Sequence, residues 1–148
     1  MEPTILSTSS SADIALTCST HGLSEVEFVS LQSTATAAKS AAYCPYSKFR
    51  VGCALLASSG AIISGANVEN ASYPVGTCAE RCALAKAVTD GHWGFRAIAV
   101  ATDISPPASP CGMCRQGIRE FCELDLPVIM FDGSGGYVVM RLEEVGRP

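Results

Sequence analysis

Four residues in two short stretches of the sequence have side chains that can bind a metal ion and move protons. Cys78 and Glu80 lie two residues apart, and Cys111 and Cys114 lie three apart. Three thiolates around a tetrahedral zinc ion leave the fourth position for water, which is the pattern of catalytic rather than structural zinc sites. The sequence therefore predicts one Zn²⁺ held by Cys78, Cys111 and Cys114.

Glu80 follows the first cysteine so closely that its carboxylate can lean over the metal without binding it. A carboxylate in that place can accept a proton from a metal-bound water and deliver it to a substrate. Three thiolates give the zinc site a net charge of −1, and Arg81 beside them can hydrogen-bond a thiolate. Two helix N-termini, each acting as roughly +0.5 of a charge, would also oppose this surplus.

Two other interpretations of these residues stay open from the sequence alone. Thr77 and Glu80 have the spacing of a capping box, which would make Glu80 purely structural. Cys82 lies four residues after Cys78 on the same helix face, and it could complete a closed four-cysteine structural site. A metal-stabilised binding module would then be the better reading.

The elements that must position these residues follow from breakers, caps and apolar runs. A capping box at Ser24 and Glu27 predicts a helix to about Ala42, and further helices are expected over 77–88 and 110–122, the last with Pro110 at its first position. Apolar runs predict five strands, at 49–57, 61–67, 95–102, 127–131 and 137–142. Short connections make the first two and the last two strands antiparallel pairs. The predicted fold is a three-layer α/β/α domain with a five-stranded mixed sheet.

Length and composition bound the organisation of the chain. At 148 residues it is long enough for one domain with its own core. Residues 1–22 are rich in Ser and Thr and are predicted to form a flexible N-terminal tail. Residues 23–148 are predicted to form a single catalytic domain.

Charge and hydropathy exclude several classes of partner. A net charge of −4, with no run of Lys or Arg, argues against a nucleic-acid partner. No apolar run approaches the length of a membrane span, and no Lys or Arg precedes Lys39, so a cytoplasmic protein is expected. The chain is 48% hydrophobic and 16% charged, which suggests surface covered by further copies in a homo-oligomer.

The cysteine stretches resemble a known signature. Cys78-Ala79-Glu80 with Pro110-Cys111-Gly112-Met113-Cys114 is similar to the signature of zinc-dependent nucleoside and nucleobase deaminases, in its three-cysteine form. Further stretches resemble the small homotetrameric cytidine deaminases, and these are residues 43–52, 65–73 and 115–116. The resemblance runs from about Leu23 to Val139.

This resemblance implies a reaction and a set of binding residues. The reaction is hydrolytic deamination of cytidine and 2′-deoxycytidine to uridine and 2′-deoxyuridine, a step of pyrimidine salvage. Zinc-bound hydroxide would attack C4 of the ring after Glu80 protonates N3. The implied substrate contacts are Phe49 on the pyrimidine face, Asn67 and Glu69 on the ribose hydroxyls, the Ala79 backbone on the ring edge, and Ala71 and Tyr73 in a neighbouring subunit's site.

The last residues of the sequence differ from the pattern of the family that it resembles. Relatives usually carry an aromatic residue after the last strand that closes over a neighbouring site, whereas residues 144–148 here have none. The expected effect is on substrate affinity more than on chemistry.

Polynucleotide-editing and free-base deaminases of the same superfamily are alternatives, although a carboxylate at Glu69 suits a free nucleoside because it binds sugar hydroxyls and repels phosphate.

Overall fold

In the part of the chain that the structure describes, six strands form one mixed sheet, and helices cover both of its faces. The computed structural model describes residues 2–146, so that Met1, Arg147 and Pro148, at the ends of the two predicted segments, lie outside the described residues. The strands are β1 (Leu6–Ser7), β2 (Val51–Ala57), β3 (Ile62–Ala66), β4 (Phe95–Thr102), β5 (Pro127–Phe131) and β6 (Gly136–Arg141). The helices are α1 (Ser11–His21), α2 (Glu25–Ala38), α3 (Ala79–Thr89) and α4 (Gly112–Phe121), with short 3₁₀ turns at Lys39–Ala41, Tyr73–Val75 and Leu142–Glu144.

The order of strands across the sheet is β1-β6-β5-β4-β2-β3. The β2–β3 and β5–β6 pairs are antiparallel, as predicted, and β4 with β5 is a parallel pair connected through α4. All five predicted strands are present within two residues of their expected bounds. The mixed α/β fold is confirmed, with one strand more than predicted.

Side chains that point alternately to the two faces of the sheet divide the core into two layers. Ile98 and Val100 of β4 pack with α3 and α4 on one face, whereas Ala97, Ala99 and Ala101 pack with α1 and α2 on the other. Successive side chains of a strand point to opposite faces, so a nearly continuous apolar strand serves both layers. The three-layer arrangement follows from this pattern.

The prediction of a flexible tail over residues 1–22 is wrong for the segment from Leu6 onward. Leu6 and Ser7 pair with β6, and α1 begins after Ser10, whose side chain accepts a hydrogen bond from the backbone of Asp13. The buried hydroxyl of Thr17 lies 2.8 Å from the Tyr137 hydroxyl. The Ser and Thr residues that suggested disorder therefore act as a helix cap and a core hydrogen bond.

The predicted helix starts need one correction. The capping box at Ser24 and Glu27 is present as predicted and opens α2. Helix α4 begins at Gly112 with Cys111 as its N-cap, so Pro110 precedes the helix and is not its first residue. Cys78 occupies the same N-cap position in α3.

Helix α3 sits unusually close to strand β3. A Cβ placed on Gly65 would lie 2.5 Å from the backbone nitrogen of Ala83 and 2.8 Å from the Ala79 carbonyl oxygen. Only glycine allows this approach. The contact fixes the first turn of α3, which carries Glu80, against the sheet.

Candidate active site

Three cysteine sulfurs meet where α3 and α4 begin. The Sγ atom of Cys111 lies 3.8 Å from that of Cys78 and 3.4 Å from that of Cys114, and all three sulfurs lie within 4.8 Å of one another. Tetrahedral zinc with Zn–S bonds of about 2.3 Å requires sulfurs about 3.8 Å apart. The donor set and its spacing therefore fit a zinc ion.

All three cysteines lie at helix starts. Cys78 is the N-cap of α3, Cys111 is the N-cap of α4, and Cys114 lies in the first turn of α4. Among the described residues, no side-chain oxygen caps the first turn of α3 or α4. The N-terminal N–H groups of both helices therefore retain their partial positive charge beside the sulfurs. This arrangement stabilises thiolates and the negative charge of a three-cysteine metal site.

Glu80 is a buried carboxylate at the edge of the cysteine cluster. Its side chain is 4% exposed, and its Oε2 atom accepts a hydrogen bond from Cys114 Sγ at 3.1 Å. The alternative capping box with Thr77 is not formed, because the N-cap of α3 is Cys78. Glu80 is thus directed toward the sulfurs and is one residue past the start of its helix.

Arg81 contacts the cluster from the side. Its Nη2 atom lies 3.6 Å from Cys78 Sγ, and the sulfurs of Cys114 and Cys78 raise the pKa of its guanidinium. The buried Nε atom has no hydrogen-bond partner among the described residues. A cation held this close offsets part of the negative charge of the thiolates.

The thiol pKa values differ across the cluster. Burial, followed by the nearby carboxylate of Glu80, raises the pKa of Cys114. Burial also acts to raise the pKa of Cys111, but hydrogen bonds from Cys114, Cys78 and the Met113 backbone outweigh it, and the net shift is downward. A bound cation would favour all three thiolates and oppose the effect of burial.

The fourth-cysteine alternative has no support in the geometry. Among the described residues, the only group of His, Cys, Asp or Glu placed to hold a metal ion is Cys78, Cys111 and Cys114. The Cys82 sulfur instead lies 4.0 Å from the Thr77 carbonyl oxygen. The three-cysteine set leaves a coordination position open for water.

Asn67 and Glu69 lie at the end of β3, and both are already oriented by backbone groups. Asn67 accepts a hydrogen bond from the Val51 N–H at 2.9 Å and donates one to the Phe49 carbonyl at 2.8 Å. Glu69 Oε1 accepts the N–H groups of Tyr46 and Ser47, each at 3.1 Å. The Ser47 side chain and these two N–H groups hold the pKa of Glu69 below its usual range.

A backbone bridge connects the segment that carries Asn67 and Glu69 to the cysteine cluster. Val68, between Asn67 and Glu69, exchanges two hydrogen bonds with Thr77, the residue before Cys78. Because Thr77 leads directly into the first ligand, the polar pair at the end of β3 is held beside the start of α3. The structure thus brings Asn67 and Glu69 into one region with the cysteine cluster.

The remaining predicted substrate residues have different environments. Phe49 is half-buried before β2, and Ala79 is buried as the first residue of α3. Ala71 and Tyr73 lie on an exposed loop, with Tyr73 92% exposed. Neither of these last two side chains is buried against the cysteine cluster of its own chain.

The sequence model of the cytidine and deoxycytidylate deaminase zinc-binding region matches residues 28–130, which include both cysteine stretches. The chain belongs to this deaminase family. The family is zinc-binding by description, and the Cys78, Cys111 and Cys114 cluster is the part of this chain that fits the metal.

Proteins and a solved structure named cytidine deaminase are similar to this chain. The chain is 52% identical over 98 residues to the cytidine deaminase of Sporosarcina psychrophila, covering 66% of this chain and 72% of that protein. It is 45% identical over 108 residues to the cytidine deaminase of Halalkalibacterium halodurans, covering 73% and 82%. The crystal structure of cytidine deaminase from Burkholderia pseudomallei superposes with a TM-score of 0.75 at 41% identity, covering 78% of this chain and 92% of that one.

Sequence reasoning assigned no role to several groups around the deaminase site. Ser47 supports Glu69, and Arg115 donates a hydrogen bond from Nη1 to the Val145 carbonyl at 3.0 Å, holding residues near the end of the described chain against the first turn of α4. Asp103 directly follows a buried strand, a position where a polar residue could have signalled a role.

Across residues 2–146 there is no helix with the length and hydropathy needed to cross a membrane.

Proposed function

We propose that this chain catalyses the hydrolytic deamination of cytidine and 2′-deoxycytidine, giving uridine or 2′-deoxyuridine and ammonia. One observation carries the proposal: a buried carboxylate, Glu80, lies 3.1 Å from one of three sulfurs spaced for zinc. Family membership and the relatives named cytidine deaminase support the choice of substrate.

The proposed reaction adds the elements of water at C4 of the base and removes the exocyclic amino group. A C4–O bond forms, the C4–N bond breaks, and ammonia leaves with protons supplied within the site. Zinc, when bound by Cys78, Cys111 and Cys114, supplies a Lewis acid that activates water near neutral pH. Glu80 moves protons from that water to ring N3 and then to the departing amino group. Positioned transfer of this kind typically contributes about 10²–10⁴ in rate.

The other residues of the proposed site bind the nucleoside. Asn67 retains one N–H and one acceptor lone pair beyond its backbone contacts, and Glu69 retains its second oxygen, so both can bind ribose hydroxyls. Phe49 packs on the pyrimidine face, and the Ala79 backbone reads the ring edge. Arg81 offsets the charge of the thiolates.

A homotetramer with shared active sites is also proposed. Tyr43, Tyr46, Val68, Tyr73 and Val75 are large apolar side chains between 47% and 92% exposed, and all come from the two loops beside the site. Exposed apolar groups this concentrated mark interaction surfaces. Ala71 and Tyr73 would then complete the site of a neighbouring subunit, and light scattering coupled to size exclusion tests the assembly.

A cytoplasmic location completes the proposal. All eight cysteines are free thiols, including the closely spaced ligand set. A reducing compartment keeps such thiols available for metal. Secretion of the mature protein with intact disulfides would contradict this assignment.

The deciding experiment follows the ultraviolet absorbance of cytidine with purified, zinc-loaded protein and a chelated control. Loss of the cytosine band with release of ammonia only in the metal-loaded sample is the expected result. An unchanged spectrum with folded, zinc-bound protein would overturn the proposal. Parallel assays with free cytosine distinguish a nucleoside deaminase from a free-base deaminase.

A further inference from the structure

A three-way ion cluster lies next to the site, and neither the proposed chemistry nor the proposed substrate contacts use it. The Asp103 carboxylate accepts Lys39 Nζ at 2.8 Å, Arg50 Nε at 2.9 Å and Arg50 Nη2 at 3.1 Å. Asp103 directly follows β4, Lys39 follows α2, and Arg50 directly precedes β2. One carboxylate therefore ties three elements together.

Arg50 is the neighbour of Phe49, and the segment before it adopts an unusual backbone. Lys48 has a φ of 59°, a left-handed conformation that costs a non-glycine residue free energy and persists only where the surroundings hold it. Its N–H donates to the Cys44 carbonyl at 3.0 Å, and the Phe49 N–H donates to Ser47 Oγ at 3.0 Å. These bonds fix the backbone from which the Phe49 side chain projects.

Three anchors hold this segment, defined as residues 44–50, in place. Glu69 binds the N–H groups of Tyr46 and Ser47, and Asn67 binds the Phe49 carbonyl. The third anchor is the bidentate pair between Arg50 and Asp103. The first two anchors are residues with a proposed role on the ribose, whereas the third has none.

Asp103 is itself held from its other side by the turn between β5 and β6. A Cβ on Gly133 would lie only 2.4 Å from the Asp103 carbonyl oxygen, and the Gly133 N–H donates to the Ile104 carbonyl at 3.1 Å. Ser105 Oγ lies 3.0 Å from Asp132 Oδ2. The carboxylate thus projects from a fixed backbone toward Arg50.

We propose that Asp103 is a positioning residue that acts through Arg50 to hold Phe49 in the orientation that receives the pyrimidine ring. This inference rests on the proposed function, because Phe49 is assigned to the base only there. Arg50, first, and Lys39 lower the pKa of Asp103 to about 2, so the carboxylate is ionised throughout the neutral range. A bidentate arginine pair adds geometric as well as electrostatic restraint.

The test compares Asp103→Asn with wild type and with Glu27→Gln. Glu27 forms the matching bidentate pair with Arg96 at the opposite end of β4, away from the cysteines. Asp103 and Arg50 are 44% and 46% exposed, which limits the expected effect to a roughly two- to fivefold rise in the KM for cytidine, with kcat and zinc content unchanged. Glu27→Gln should leave KM unchanged.

Arg50→Gln is the second variant, because Arg50 is half-exposed and its loss spares Lys39–Asp103. It should raise KM by the same factor, and the double variant should show no further rise since both changes remove one interaction. A KM equal to that of wild type in Arg50→Gln overturns the inference, as does a fall in kcat or zinc content without a change in KM. Wild-type activity decides the proposed function, and the ratio of variant to wild-type KM decides this inference.

Discussion

The helices on the two faces of the sheet begin in opposite ways. On one face, Ser10 and Ser24 cap α1 and α2, and their hydroxyls accept backbone N–H groups at 3.2 and 3.0 Å. On the other face, Cys78 and Cys111 hold the N-cap positions of α3 and α4, so a sulfur stands where the serine oxygen stands in α1 and α2. The same structural position thus carries oxygen on one face and sulfur on the other.

This difference separates stability from function. A serine cap satisfies an N–H group that would otherwise lack a partner, and its loss typically costs about 1 kcal/mol. Helices α3 and α4 begin without this stabilisation by a serine cap. Their N-terminal N–H groups and helix dipoles instead stabilise the cysteine thiolates. The N–H groups of Met113 and Cys114, for example, contribute to the lowered pKa of Cys111 without closing a cap of the serine type. Local rules of helix initiation are broken at the site and obeyed away from it.

The largest expected effect comes from the carboxylate on the cysteine face. Glu80→Gln keeps the shape of the side chain but removes proton transfer, and we expect turnover of cytidine to fall by about 10²–10⁴ with zinc retained. Steady-state deamination and metal analysis measure the two outcomes.

Glu120→Gln, an exposed change late in α4, is the matched control and should keep full activity. Wild-type turnover in Glu80→Gln would remove Glu80 from the chemistry. Loss of zinc together with activity would instead assign it to metal binding.

Replacing sulfur by oxygen at an N-cap tests the comparison directly. Cys111→Ser should lose zinc and activity, because a serine hydroxyl is a poor zinc ligand at neutral pH. In metal-free protein the same change should raise the free energy of unfolding by about 1 kcal/mol, since it installs a preferred cap. Urea unfolding with chelator present measures the gain.

Cys122→Ser is a useful contrast, since Cys122 is a buried cysteine outside the cluster and its change supplies no cap. That variant should keep its zinc and lose stability, because it buries a hydroxyl. A metal-free Cys111→Ser protein less stable than wild type would refute the idea that α4 gives up a cap.

On the serine face, removing a cap should affect stability alone. Ser24→Ala breaks the capping box of α2 and should lower the free energy of unfolding by about 1 kcal/mol with kcat and KM unchanged. Thermal and urea unfolding, with deamination assays beside them, check both parts. Altered zinc content or turnover in this variant would contradict the separation of the two faces.

The smallest effect is a pH dependence on the serine face. Arg96, first, and then the Ser24 backbone lower the pKa of Glu27 from its ordinary value of 4.5. The stability that this depressed acid contributes is present above pH 4.5 and is lost as the pH falls through its lower folded pKa. Below about pH 4.5, wild type should therefore lose stability slightly more steeply than Glu27→Gln, by well under 1 kcal/mol for an exposed pair. Parallel acid-unfolding curves would contradict this.

The sequence was most informative where function depends on local spacing. The three ligands and Glu80 occupy two helix starts, and short-range signals of helix initiation and ligand spacing were sufficient to propose them together. The orientation of Glu69 by Ser47 and Tyr46 was not predictable, because these bonds join residues 22 and 23 positions apart, with strands β2 and β3 between them.

Contacts between distant residues account for the main errors. The N-terminal segment resembles a tail because its partner, Tyr137, lies 120 residues from Thr17. Asp103 has its cationic partners 64 and 53 residues earlier in the chain. Neither pairing leaves a periodic or compositional signal in the sequence, so only the folded arrangement reveals it.

The pairing of β1 with β6 also constrains the order in which the protein can assemble. Leu6 pairs with Tyr137, so β1 leaves the ribosome long before its partner strand β6 has been synthesised. Until then α1 has no Tyr137 hydroxyl for Thr17, and the aromatic contacts of Phe28 with Phe131 and Tyr137 are missing too. The sheet edge at β6 can therefore be covered by β1 only after β6 has left the ribosome.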